Sequence, residues 1–210
     1  MTDFADLIAG YRRFRNDGWA HQRERWAELA EGQNPKVMVI ACSDSRVDPS
    51  MVFDAGPGEM FVMRNVANLV PPFELGGLRH GVSAAVEFAV TQLGVPEIVV
   101  LGHGQCGGIS ASLSRRFDDK PPGEGGFISR WMQLLDEARD RIEAEYGHGP
   151  AAVRALELEA VKVSLANLRT FPCIPPREAA GTLKLHGAYF AIGEGVLHQL
   201  DEASGVFSPV

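Results

Sequence analysis

Two cysteines and one histidine are the residues of this 210-residue chain that are best suited to hold a metal ion. Cys42 follows the apolar run at 37–40, and His103 and Cys106 follow the apolar run at 98–101. Two thiolates and one imidazole suit zinc, and three protein ligands leave a fourth position open. A lone cysteine after an apolar strand is more often a small buried hydrophobic residue. The three-residue spacing of His103 and Cys106 between glycines favours the metal site.

The apolar runs before these ligands predict buried strands in a parallel sheet. The strands are expected at about 36–41, 60–64 and 97–102, and helices at 76–93 and from about 106 onward. Alternation of strands and helices is typical of right-handed crossovers in an α/β fold. Sites in such sheets form in the loops at the carboxyl ends of the strands. We therefore expect Cys42 to meet the other two ligands there, in a central, mostly parallel sheet flanked by helices.

The remaining segments complete the expected α/β domain. The N-terminal residues predict two helices, at 3–15 and 18–30, which form an arm rich in aromatic residues. Further helices are expected at 127–146 and 150–169, and the strand-forming segment at 182–192 predicts a C-terminal edge strand. The apolar face of the helix at 76–93 includes Leu78. Within one domain spanning 1–210, we expect the arm to occupy 1–32 and the α/β core to occupy 33–210.

Composition and charge exclude several classes of partner. The net charge is −7, from 20 basic and 27 acidic residues, so we expect neither nucleic acid nor an anionic membrane as a partner. No apolar run approaches the roughly 20 residues of a membrane span, and the N-terminus does not resemble a secretory leader. Three cysteines, with Cys173 as the spare one, argue for a reducing compartment. The expected location is the cytoplasm.

A carboxylate and a guanidinium follow the first cysteine at once, as Asp44 and Arg46. A zinc ion with an open position lowers the pKa of bound water from about 15.7 towards about 7, which suits hydration or hydrolysis of a small electrophile. Asp44 could accept the proton of the hydroxide in a hydrogen bond, and Arg46 could keep this carboxylate ionised. Away from a metal ion, the same two residues would be an ordinary surface ion pair.

Three motifs give the chain its resemblance to the β-class carbonic anhydrases. They are CSDSR at 42–46, RNVAN at 64–68 and GHGQCGG at 102–108, and the resemblance runs from about Gln33 to Gly187. It implies reversible hydration of carbon dioxide to bicarbonate. It also implies one zinc ion per subunit, with an orienting pair beside it, and a homodimer or homotetramer with active sites at the dimer interface. The implied zinc ligands are Cys42, His103 and Cys106, and the implied catalytic pair is Asp44 and Arg46.

The resemblance also implies which residues contact the substrate. Gln33 matches a glutamine that reaches the active site across a dimer interface. Phe61 and Val66 match apolar residues of the pocket, and Gly107 belongs to the motif that carries the ligands. Phe88 stands where tyrosine is common, so the apolar wall is kept and the hydroxyl is lost. A dry pocket with one or two polar contacts suits a small linear molecule.

One branch of the family binds inhibitory bicarbonate through a tryptophan, an arginine and a late tyrosine. The positions that match these residues hold Val39, Arg64 and Phe190 here, with Tyr189 beside the last. Only the arginine is kept in place. The resemblance therefore implies the plant-like form, in which Asp44 pairs with arginine and leaves the metal open.

Other functions remain as alternatives. A relative that hydrolyses carbon disulfide or carbonyl sulfide would use the same ligands, and the sequence does not separate the two. A zinc- or bicarbonate-binding regulatory module would have lost Asp44 or Arg46, and both are present. A phosphatase loop is rejected, because a carboxylate between cysteine and arginine would repel phosphate. The proton shuttle stays open among four histidines: His21, His80, His148 and His186.

The helix expected at 150–169 carries three charges that the pattern places on its exposed face. They are Glu157, Glu159 and Lys162, and we expect water to solvate all three.

Overall fold

The structure, a computed structural model, describes residues 2–76 and 80–210. The chain divides after Asn34 into two compact units, which are taken in turn. The expected helical residue Leu78 lies outside the described residues. The expectation of a single domain with an arm at 1–32 stays a prediction.

The N-terminal unit is helical, as the sequence predicts. Helix α1 spans Phe4–Phe14, continues as a π-helical segment at Arg15–Trp19, and is followed by α2 at Arg23–Glu31. Asp3 caps α1 by accepting the backbone N–H of Asp6, whose side chain accepts the Asp3 N–H in return. No residue of α1 is buried, and this helix exposes four large apolar side chains: Phe4, Leu7, Tyr11 and Phe14.

The described part of the second unit contains a six-stranded sheet with the order β2-β1-β3-β4-β5-β6. The strands are β1 (Val37–Cys42), β2 (Met60–Asn65), β3 (Glu97–His103), β4 (Lys184–Ala191), β5 (Val196–Asp201) and β6 (Val206–Pro209). The first four strands in this order pair in parallel, and the last two pair antiparallel. The predicted α/β class with a mostly parallel sheet is confirmed.

The position of the C-terminal edge strand differs from the prediction. The segment predicted at 182–192 forms β4, which lies between β3 and β5 inside the sheet. The edge is β6 instead. Two tight turns add the extra strands, and each turn contains a glycine with positive φ, Gly195 at 66° and Gly205 at 71°. The two short strands that follow these turns, β5 and β6, lack the long apolar run that marks β1 and β3 in the sequence.

Helices connect and cover the strands of the second unit. They are α3 (Pro49–Val52), α4 (Gly81–Glu87), α5 (Gly107–Leu113), α6 (Gly126–Met132), α7 (Asp136–Tyr146), α8 (Pro150–Leu168) and α9 (Pro175–Ala179). The helix expected at 76–93 begins at Gly81 and ends in a π-helical segment, Phe88–Leu93. Over residues 2–76 and 80–210, no helix combines the length and apolarity needed to span a membrane.

Helix α8 packs closely against β3 and β4 because these strands have glycines, which lack a Cβ atom, where the helix contacts them. A Cβ atom on Gly102 would lie 2.7 Å from Cγ2 of Val161, and one on Gly187 would lie 3.0 Å from Cγ1 of the same residue. These distances are shorter than nearly all contacts of real Cβ atoms, so side chains at these two strand positions would force Val161 and the helix to shift. This close packing brings residues on the buried face of α8 to the carboxyl end of β3.

Candidate metal centre

The ends of two neighbouring strands bring the candidate ligands together. Strands β1 and β3 pair with Ala41 opposite Leu101, so Cys42 and His103 end adjacent strands. Cys106 lies just before the first residue of α5. The two Sγ atoms are 3.9 Å apart, and the ligand atoms of all three residues lie within 4.8 Å of one another. All three residues are buried.

This donor set fits a zinc ion. Two thiolates on a tetrahedral zinc, with bonds of about 2.3 Å, are separated by about 3.8 Å, close to the separation of Cys42 and Cys106. The Nδ1 atom of His103 lies 2.9 Å from the carbonyl oxygen of Gly104, which can only accept a proton. Nδ1 therefore carries the hydrogen and Nε2 keeps its lone pair. Nε2 is buried and has no hydrogen-bond partner in the described part of the chain, as expected of a metal ligand.

Polar contacts stabilise the thiolate form of Cys42. The hydrogen bond between Cys106 and Cys42 lowers the pKa of the Cys42 thiol to about 4, although burial opposes the shift. The same contact, together with burial, raises the pKa of Cys106. The backbone N–H of Ala67 also donates to the Cys42 Sγ over 3.3 Å. A bound zinc ion would draw both sulfur atoms into the thiolate state.

A strained turn after β2 aims this N–H at the sulfur. Ala67 is fully buried and has φ of 64°, a left-handed conformation that residues with a Cβ rarely adopt. The side chain of Asn65 holds the turn by bonding both the N–H and the C=O of Leu69, at 2.9 and 2.7 Å. Gly108 of α5 lies against the same turn, where a Cβ would be 2.8 Å from Cγ1 of Val66. The RNVAN motif therefore supports one of the candidate ligands, Cys42.

Asp44 and Arg46 form a two-point ion pair beside the ligands. Arg46 donates from Nε to Oδ1 of Asp44 over 2.9 Å and from Nη2 to Oδ2 over 2.7 Å. This guanidinium holds the pKa of the Asp44 carboxyl well below its usual range. Oδ2 of Asp44 lies 4.0 Å from Nε2 of His103. The carboxylate is thus ionised, oriented and close to the open side of the ligand cluster.

Two arginines tie the loops of the site together. Besides its pair with Asp44, Arg46 donates from Nη2 to the carbonyl of Gln105 over 2.9 Å, so it joins the two loops that carry the ligands. Arg64 on β2 donates to the carbonyls of Cys42 and Asp44, over 2.9 and 2.7 Å. Because these bonds involve charged donors to fixed carbonyls, they restrict both loops more than bonds between neutral groups would.

Glu157 is the functional-site residue that sequence reasoning misread. It was expected on the solvated face of α8, but only 3% of its surface is exposed. Its Oε1 accepts the N–H of Cys106 over 2.9 Å, and its Oε2 accepts the hydroxyl of Tyr189 over 2.8 Å. Burial raises the pKa of Glu157, and these two donors partly offset the shift. The helical pattern missed it because α8 contacts the sheet on one side and α5 and α7 on others, which widens its buried surface.

The expected substrate-binding residues do not all lie beside the ligands. Val66 and Gly107 belong to the turn and helix that contact the cluster. The rings of Phe61 and Phe88 are 5.8 Å apart, centroid to centroid. Phe61 pairs with Met38, four positions before the end of β1, so about 13 Å of strand separates it from this chain's own ligands.

Three further expected residues have other surroundings. Gln33 belongs to the N-terminal unit and stays a prediction. Val39, at the position that the bicarbonate-binding branch fills with tryptophan, is buried within β1. Phe190 on β4 packs against the apolar cluster that contains Val39.

Comparison with known proteins agrees with this fold and identifies the family. The family model described as carbonic anhydrase matches residues 37–197. A carbonic anhydrase from Pseudomonas aeruginosa is 41% identical over 203 residues, which cover 96% of this chain and 90% of that protein. The solved β-carbonic anhydrase CcaA superposes with a TM-score of 0.89 and 31% identity, covering 97% of this chain and 90% of the other.

A second solved structure comes from Sordaria macrospora and is one of two described as tetrameric β-carbonic anhydrases. It has a TM-score of 0.79 and 27% identity, covering 94% of this chain and 96% of the other. The chain belongs to the carbonic anhydrase family, in its β class, and is a carbonic anhydrase.

Proposed function

We propose that this carbonic anhydrase hydrates carbon dioxide to bicarbonate at a zinc ion held by Cys42, His103 and Cys106. The donor set, the 3.9 Å separation of the sulfur atoms and the unpartnered Nε2 of His103 support this ion. Bound zinc would lower the pKa of a coordinated water towards about 7 and so supply a nucleophile at neutral pH. The odd number of cysteines, all three of them free, supports a reducing location such as the cytoplasm.

Asp44 orients the attacking water. Its carboxylate is fixed by the two bonds from Arg46 and can accept one hydrogen bond from the water, which leaves a lone pair directed at the substrate carbon. The main support for this role is the 4.0 Å distance from Oδ2 of Asp44 to Nε2 of His103. At this distance the carboxylate lies beside the proposed ligands and does not take the place of any of them. Arg46 keeps the carboxylate ionised and holds it in the open arrangement of the plant-like branch.

The active site is completed by a second copy of the chain. Phe61 and Phe88 contact each other but are a strand length away from the ligands of their own chain, so as pocket residues they would serve a neighbouring subunit. Phe88 is 44% exposed, as suits a residue that a partner covers. Gln33 would reach the substrate in the same way, while Val66 and Gly107 line the pocket from the ligand side. A homodimer is the smallest assembly that meets this requirement, and the Sordaria relatives are described as tetrameric.

Metal analysis combined with a stopped-flow hydration assay tests this function. We expect one zinc ion per chain and carbon dioxide hydration that is lost on chelation and restored by zinc. Carbonyl sulfide assayed under the same conditions should turn over much more slowly than carbon dioxide. Zinc-loaded protein that hydrolyses carbonyl sulfide and leaves carbon dioxide untouched would contradict the substrate assignment.

A further inference from the structure

One peptide group next to the metal centre is held at both of its ends. The carbonyl of Gln105 accepts Nη2 of Arg46 over 2.9 Å, and the N–H of Cys106 donates to Oε1 of Glu157 over 2.9 Å. Gln105 has φ of 57°, in the left-handed region that residues with a Cβ rarely adopt. The surrounding bonds therefore impose this backbone direction. Since Cys106 follows directly, the same direction sets where its sulfur points.

Glu157 is itself held rigidly. The hydroxyl of Tyr189 donates to Oε2 over 2.8 Å, and Nη1 of Arg154 donates to the Tyr189 oxygen over 3.2 Å. The Arg154 guanidinium also lies over the Tyr189 ring, 4.8 Å from its centroid. Tyr189 is only 1% exposed, and its hydroxyl is so close to the ligand loop that a Cβ on Gly104 would lie 3.0 Å from it. The carboxylate thus has one available position.

Stability alone does not account for an acid at this place. Burying a carboxylate is strongly unfavourable unless its oxygens are hydrogen-bonded, and an apolar residue on the buried face of a helix avoids that penalty. Here both oxygens are used, one for the ligand loop and one for Tyr189. A leucine would fill the space and leave the Cys106 N–H without an acceptor.

We propose that Glu157 is a positioning residue of the metal centre, which fixes the peptide between Gln105 and Cys106 and thereby aims the Cys106 sulfur at the ion. Tyr189 acts through Glu157 by holding its second oxygen. This inference rests on the proposed zinc function. Partners that hold metal ligands from outside the coordination shell typically account for 10- to 100-fold in metal affinity or activity.

Zinc affinity and the cobalt spectrum of the substituted protein test this role. Affinity is measured by competition with a chromophoric chelator, and Co(II) replaces zinc to report ligand geometry through its thiolate charge-transfer and d–d bands. We expect Glu157→Leu to weaken zinc binding roughly 10- to 100-fold and to shift the cobalt bands. Glu157→Gln, which keeps an acceptor for the Cys106 N–H, should recover most of the affinity. The matched control is Glu159→Gln on the same helix, which loses only the ion pairs with Arg141 and Lys162 and should behave like the parent.

Tyr189→Phe keeps the inference testable if Glu157→Leu does not fold. It removes one hydroxyl and should weaken zinc binding roughly tenfold, with shifted cobalt bands. Parent-like affinity and cobalt spectra in folded Glu157→Leu, or in Tyr189→Phe if Glu157→Leu aggregates, would overturn the inference, even if the melting temperature fell. If the parent protein itself bound no zinc, the proposed function would be wrong. That result differs from zinc binding by the parent with no effect of the Glu157 and Tyr189 variants, which would refute only the role of Glu157.

Discussion

Arg46 holds both carboxylate oxygens of Asp44, at 2.9 and 2.7 Å, while the same guanidinium bonds the carbonyl of Gln105, which lies between His103 and Cys106 in the chain. One side chain therefore fixes the Asp44 carboxylate relative to the loop of His103 and Cys106. The arrangement holds the acid and the proposed metal site in one fixed geometry, which favours a reaction between groups that must be correctly oriented.

Removing the orienting carboxylate should separate metal binding from turnover. We expect Asp44→Ala to keep one zinc per chain and to lose about 100-fold or more in kcat, the usual range for a group that handles the proton in the transition state. Asp54→Asn, at an exposed turn position with φ of 49°, is the control and should keep parent activity. Zinc analysis and stopped-flow hydration measure both. Turnover by Asp44→Ala at the parent rate would show that the carboxylate does not orient the nucleophile.

Substitution of the three cysteines should distinguish the proposed zinc ligands from the cysteine that does not bind zinc. Cys42→Ser and Cys106→Ser should each lose zinc and activity, because a serine hydroxyl is a poor zinc ligand compared with a thiolate. Cys173→Ser should keep both, since Cys173 lies outside the ligand cluster. The parent should also melt at a lower temperature after chelation, as removal of a ligand that binds only the folded state requires. Retention of stoichiometric zinc in Cys106→Ser would be incompatible with the proposed ligand set.

Two adjacent glycines give a matched test of the turn that supports Cys42. In Gly108→Ala the new Cβ would lie 2.8 Å from Val66 and 3.3 Å from Cβ of Ala67, so we expect destabilisation of about 1–3 kcal/mol. In Gly107→Ala the new atom meets nothing within 4 Å, and stability should stay equal or rise by about 0.4–1 kcal/mol. Urea unfolding of the apoproteins measures both. Equal stability of the two variants would mean that the turn has room to yield.

Mixed dimers test whether two chains build each active site. We expect Asp44→Ala and the double variant Phe61→Ala/Phe88→Ala to be impaired separately. Co-expressed as a mixed dimer, they should regain activity, because one site then combines an intact Asp44 with intact phenylalanines from the other chain. Light scattering should give at least twice the mass of one chain. A monomer, or mixed dimers no more active than their parts, would show that Phe61 and Phe88 serve no neighbouring site.

The ligands and their strands could be predicted because their signals are local. Cys42 and His103 each follow an apolar run long enough to mark a buried strand, and parallel strands bring their carboxyl ends together whatever their order. The buried acid Glu157 could not be predicted in this way, because its partners, Cys106 and Tyr189, lie 51 and 32 residues away. Because glutamate is charged, the sequence pattern predicted an exposed position for it. The close packing of α8 on the sheet buries it instead.

The positions of the C-terminal strands likewise could not be predicted from local sequence patterns. Strand β5 has polar residues at three of its six positions, β6 is only four residues long, and their pairing depends on the turns at Gly195 and Gly205. The placement of Phe61 and Phe88 away from their own ligands was likewise hidden, because a motif match says nothing about which subunit's site a residue faces.

Zinc-dependent hydration of carbon dioxide is tested by measuring zinc content and hydration together on one preparation, across pH. We expect one zinc per chain, hydration that disappears with the metal and returns with it, and loss of hydration but not of zinc in Asp44→Ala. Hydration that persists unchanged after complete removal of zinc, or a chain that binds no zinc and hydrates no carbon dioxide, would contradict it.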